Sequence, residues 1–130
     1  MVEPSKKEHV VRVDDVKPWI GTPTSHPKSK WRILLTEDTV GAKRLVVAHV
    51  ELEPGGYTEP GAHEEFEQAF YFLEGEGVMM VDGKEYVAKP GMAVHVPLNT
   101  THCYKNTSNA PLHFLVIESQ PYSKEWIQKE

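Results

Sequence analysis

Two stretches hold most of the side chains able to do chemistry. Residues 61–77 read GAHEEFEQAFYFLEGEG and residues 91–106 read GMAVHVPLNTTHCYKN. They bring together His63, His95 and His102 with Gln68 and the acidic residues Glu59 and Glu64 near the first stretch. Imidazole is the commonest metal ligand and, with an unperturbed pKa of about 6.5, the side chain that exchanges protons near neutrality. The first stretch looks like half of a metal-site motif with a gap. One histidine is present, Gly61 stands where a second would be expected, and Gln68 stands where a glutamate would. A chain like this either holds an ion and does chemistry with it or has become a binding barrel.

These residues converge only if regular elements present them to one place. On a strand side chains alternate, so Gly61 and His63 share a face, and Gln68 shares one with Phe70 and Phe72. His102 shares one with Tyr104. The chain is built to supply such strands. Ten prolines and nine glycines punctuate short apolar segments. Residues 9–13 read as a strand, as do WRILL (31–35), KRLVVAHVEL (43–52), QAFYFLEG, MAVHVP, HCYKN and PLHFLVIES. In VMMVDGKEYVAK, Asp82-Gly83 is a two-residue hairpin signal. Only the last segment, PYSKEWIQKE, reads as a short helix. Many short strands separated by turn chemistry define an all-β barrel or sandwich. A parallel α/β domain does not fit, because the crossover helices it requires are missing.

Bulk properties narrow the function classes. The 130 residues suit one domain, and the net charge of −5 argues against nucleic acid or an anionic membrane as a partner. No apolar run approaches membrane-helix length, and the N-terminus lacks a secretory apolar segment. The single cysteine rules out an intramolecular disulfide framework and fits a cytoplasmic setting.

Together the two stretches resemble the motifs of the cupin superfamily, G-x5-H-x-H-x3,4-E-x6-G and G-x5-P-x-G-x2-H-x3-N. Gly91, Pro97, His102 and Asn106 match the second, with Asn99 in place of its inner glycine. His63 and Gly75 match the first, with Gln68 at the glutamate and Gly61 at the first histidine. The resemblance implies a single-domain, RmlC-like jelly-roll barrel, the double-stranded β-helix, over residues 36–120. Residues 1–35 would be an N-terminal strand extension packing on or swapping onto that barrel, with residues 121–130 as a tail. By analogy with cupins that pair through N-terminal strands, it also implies a homodimer.

For the site, the resemblance implies a divalent metal. His63, Gln68 and His102 would be its ligands, and two imidazoles with one oxygen donor suit Mn, Fe, Ni, Co or Zn. His95, Glu59 or Glu64 would fill the gap at Gly61, with His95 as fourth ligand or as catalytic acid and base. Glu59, Phe70, Phe72 and Tyr104 are the expected pocket lining. The implied function is a metal-dependent isomerase, lyase or dioxygenase acting on a small polar metabolite. The rival is a metal-free or weakly metallated module that binds a metabolite or sugar. His49 and His113 read as strand-face residues, His9 and His26 as surface residues, and the run Glu64, Glu65, Glu67 as a solvated rim.

Overall fold

In a computed structural model, which describes residues 8–119, the strand segments pair into two antiparallel sheets. In chain order they are β1 (Trp19–Thr22), β2 (Ser25–Leu35), β3 (Leu45–Leu52), β4 (Gln68–Glu74) and β5 (Gly77–Val81). β6 (Lys84–Ala88), β7 (Ala93–Val96), β8 (His102–Lys105) and β9 (Leu112–Ser119) follow. The larger sheet runs β1-β2-β3-β9-β4-β7 and the smaller β6-β5-β8. The chain folds as the expected jelly roll. The helix expected within residues 121–130 lies outside the described residues.

Alternation sets the core. β3 buries Val46, Ala48, Val50 and Leu52, and its partner β9 buries Leu112, Phe114 and Val116. Phe70 and Phe72 of β4 pack on Phe114 at ring-centroid distances of 5.8 and 5.3 Å, and Tyr104 joins them at 5.0 Å. Each fully buried aromatic of this kind stabilises the fold by about 1.5–3 kcal/mol.

Turn chemistry places the strands. Asp82 and Gly83 both take positive φ, 52° and 78°, so Val81 faces Lys84 across a tight hairpin. Gly75 must be glycine, since its φ is 89° and an added Cβ would collide with the Pro111 carbonyl. Asn99 also has a positive φ, 54°, which accounts for asparagine at the motif's inner glycine.

Two segments differ from the sequence reading. Residues 9–13 form no strand; a 3-10 turn, Val13–Asp15, begins at their last residue. Residues 55–61 form no regular strand but follow β8 through main-chain bonds, among them Thr58 N–H to Tyr104 O and a reciprocal pair between Gly61 and His102.

Asn106 closes this arrangement. It is 1% exposed, and its amide donates to the carbonyls of Leu52 and Ala110, both at 2.8 Å. Its Oδ1 accepts from the Ser108 N–H and hydroxyl. One side chain thus ties the end of β3 to the turn after β8. Asn106→Ala leaves buried carbonyls unpaired and is expected to cost at least about 2 kcal/mol in urea unfolding, whereas Asn109→Ala should cost little. Equal stability of the two variants would show that the clamp carries no weight.

Candidate functional site

A cavity of about 630 Å³ opens between β2, β4, β8 and the segment before β4. His63, Gln68, Phe70, His102, Tyr104 and Glu59 all line it. The two stretches of the sequence meet here because Gly61 and His102 form an antiparallel bridge, and opposed residues project to the same side.

His102, His63 and Gln68 are each held by a neighbour. The Nδ1 of His102 lies 3.0 Å from the Thr100 carbonyl, which fixes a proton there and leaves Nε2 with the lone pair. Burial lowers the His102 pKa, outweighing the backbone hydrogen bonds that favour its charged form, so the ring is neutral at pH 7. His63 is held by a hydrogen bond from the Asn99 N–H to its carbonyl, and its ring stacks on Phe66 at 4.5 Å. The two imidazoles are 5.2 Å apart, centroid to centroid.

Gln68 is 5% exposed. Its Nε2 donates to Glu118 Oε2 across the β4–β9 pair at 3.2 Å, and its Oε1 is buried without a hydrogen-bond partner. Tyr104 is 4% exposed, its hydroxyl oxygen also has no partner, and burial raises its pKa so that it stays a phenol. A buried polar atom left unpaired costs about 1–3 kcal/mol, and two of them belong to residues lining one cavity.

Not every expected residue arrives. His95 lies on the outer face of β7, opposite Ala69, and its Nε2 meets Glu67 Oε1 at 2.6 Å. Its neighbour Val96 takes the inward direction. His95 therefore neither fills the gap at Gly61 nor serves as an acid in the cavity. Phe72 is fully buried in the core and does not reach the cavity. Glu64 lines it, so it reaches the site that its reading as rim left open. Two contributors escaped the sequence reading: Glu118, which orients Gln68, and His26, which lines the cavity from β2.

The donors suit a divalent ion in type. Two rings sharing an ion at about 2.1 Å per nitrogen have centroids about 5 Å apart, the spacing found for His63 and His102. The orphaned Gln68 Oε1 adds an oxygen. The set is weak in charge, because among the described residues no three His, Cys, Asp or Glu side chains are placed to share an ion.

Two antiparallel sheets closing on a cavity of inward histidine, glutamine and tyrosine define a jelly-roll binding barrel. The chain belongs to the cupin family: residues 48–118 match the model of the cupin domain. An uncharacterised protein of Methanocaldococcus jannaschii is 30% identical over 112 residues, 86% of each chain. A solved structure of a predicted oxalate decarboxylase from Thermotoga maritima is similar, with a TM-score of 0.76 and 28% identity, over 85% of this chain and 97% of that one. The polyketide cyclase RemF from Streptomyces resistomycificus gives 0.76 and 28% over 86% of this chain and 79% of its own. Among the described residues no helix is long and apolar enough to cross a membrane.

Burial also lowers the pKa of His49, with His113 and Arg32 adding to the effect. For both His49 and His102 the folded pKa lies below the unfolded 6.5, so only the unfolded chain takes up protons just below that pH. Stability is therefore full above about pH 6.5 and falls as the pH drops through it toward the lowered folded values. Urea unfolding from about pH 7.5 to about 5 should show this fall, and His49→Asn with His102→Gln should flatten it.

Proposed function

We propose that the chain is a small-molecule cupin that works as a metal-dependent enzyme of isomerase, lyase or dioxygenase type on a small polar metabolite. The observation that carries this reading is the pair of unpartnered buried atoms, Gln68 Oε1 and Tyr104 Oη, beside His63 and His102. In this reading His63, His102 and Gln68 hold the ion, one of Mn, Fe, Ni, Co or Zn. Bound there, it would supply Lewis-acid polarisation of a ligand oxygen. The chain's own part is to keep Nε2 of His102 deprotonated through Thr100 and to aim Gln68 Oε1 through Glu118. Tyr104 donates a hydrogen bond to a ligand oxygen. The named activities of two relatives, oxalate decarboxylation and polyketide cyclisation, support a small organic ligand.

The neutral donor set favours a second reading, a module that binds its ligand without metal. Metal analysis of untagged protein separates the two. Near-stoichiometric transition metal, lost in His63→Ala/His102→Ala and stripped by a chelator with a fall in Tm, is the expected result. Gly61 offers a sharper test, because nothing lies within 4 Å of a Cβ built there and its partner is His102. Gly61→His should tighten binding of Co²⁺ or Zn²⁺ by at least about tenfold. A folded, metal-free protein whose Gly61→His variant gains no affinity would sink the enzyme reading.

The homodimer belongs to the same proposal. On the outer face of the large sheet Val47 pairs with Ile117 and Leu115 with Tyr71, while Leu73 is 41% exposed nearby. Such a strip wants cover. Sedimentation equilibrium should give a dimer that Leu115→Glu turns into a monomer; a monomeric native chain would refute the pairing.

A further inference from the structure

The polar atoms that the cavity can offer a ligand are mostly acceptors. Gln68 gives its N–H to Glu118, so the atom it leaves unpartnered is the oxygen, Oε1. His102 directs its proton to the Thr100 carbonyl through Nδ1, so Nε2 presents a lone pair. The Tyr104 hydroxyl, also unpartnered, is the one group of these three with a proton to give. Gln68 and Tyr104 are 5% and 4% exposed, so these are buried side chains with an atom left over, not surface groups satisfied by solvent.

The charge on the walls has the same sense. The acidic side chains lining the cavity are Glu59, Glu64 and Glu65, with no lysine or arginine among the described lining residues. All three are exposed, and on their own they would be a solvated rim. Set around a cavity whose buried groups also want donors, they make a field that repels anions and attracts cations.

The third observation is aromatic. Phe70 and Tyr104 line the cavity with their rings 6.0 Å apart and their planes at 60°. β2 adds Trp31 and, beyond a bulge in its pairing with β1 between Ile20 and Thr22, His26. The face of an aromatic ring is negative and holds ammonium-type cations, most strongly where water is excluded. A neutral ligand would stack on the same rings, but it would leave the three carboxylates unanswered.

We propose that the ligand of this cavity is a small organic cation that also carries an oxygen. This rests on the cavity being the ligand site, as proposed above. The cationic end sits against the aromatic rings and the carboxylates of Glu59, Glu64 and Glu65, and the oxygen accepts the Tyr104 proton. Choline is a probe of that chemistry. Its control is the neutral isostere, the alcohol with a tert-butyl group in place of trimethylammonium. The test is isothermal titration of the full chain with each, at about pH 8, where an ordinary imidazole is uncharged. Choline should bind at least about tenfold more tightly than the isostere. Glu59→Gln/Glu64→Gln should weaken choline by about threefold or more and leave the isostere unchanged. Tyr104→Phe keeps the ring and removes the hydroxyl, so it should weaken both probes alike, by about fivefold. Equal affinity for the two probes, or choline binding that Glu59→Gln/Glu64→Gln leaves unchanged, would overturn the cationic class while the cavity stood. Choline binding that Tyr104→Phe and His63→Ala/His102→Ala both leave unchanged would instead remove the cavity reading itself. Binding of neither probe would overturn the inference outright.

Discussion

A strand turns only every second side chain inward, and in this barrel the inward set must serve both a hydrophobic core and a polar cavity. β4 shows the division. Gln68, Phe70 and Phe72 all point inward; Phe72 closes the core, Phe70 touches both regions, and Gln68 belongs to the cavity. β8 repeats it with His102 and Tyr104. His102 and Gln68 are anchored by a neighbour each, Thr100 and Glu118, while Gln68 Oε1 and the Tyr104 hydroxyl are left without a partner.

The same constraint explains what could be read in advance and what could not. Turns with their own chemistry were legible, as at Asp82-Gly83 and Gly75, and so was the shared parity of Gln68 with Phe70 and of His102 with Tyr104. His95 was misread although the signal was present. Met92, Val94 and Val96 form an apolar every-other-residue set, and His95 falls between its members. Following the parity of the valines rather than the position of a motif would have sent the imidazole outward, where Glu67 now meets it. His26 and Glu118 are different. A bulge destroys alternation, so nothing local announces that residue 26 turns toward a cavity. Glu118 acquires its meaning only through the register that sets it opposite Gln68, fifty residues away in sequence.

That register also changes the meaning of the lost acid. In the motif that the chain resembles, a glutamate on β4 would face the cavity directly. Here an amide takes that position and a carboxyl group stands behind it on β9, 1% exposed. The amide spends its N–H on Glu118 and turns an oxygen to the cavity. A ligand or ion therefore meets a carbonyl dipole first, with the acid one bond further off. The contact is softer than a carboxylate contact, and more dependent on orientation, because an amide has only one acceptor arm.

Gly61 completes this trade. A side chain there would start beside His102, on the side that both residues share, with nothing within 4 Å of its Cβ. Leaving it out surrenders a nitrogen donor but leaves room beside His102, whose ring lies 6.1 Å from that of Phe70. Fewer donors and more flat apolar wall shift the source of affinity from coordination toward stacking and burial. β2 acts in the same direction, since it brings Trp31 and His26 to the cavity wall. In the proposed reading, a barrel so altered selects its ligand by shape and hydrogen bonding as much as by affinity for a cation.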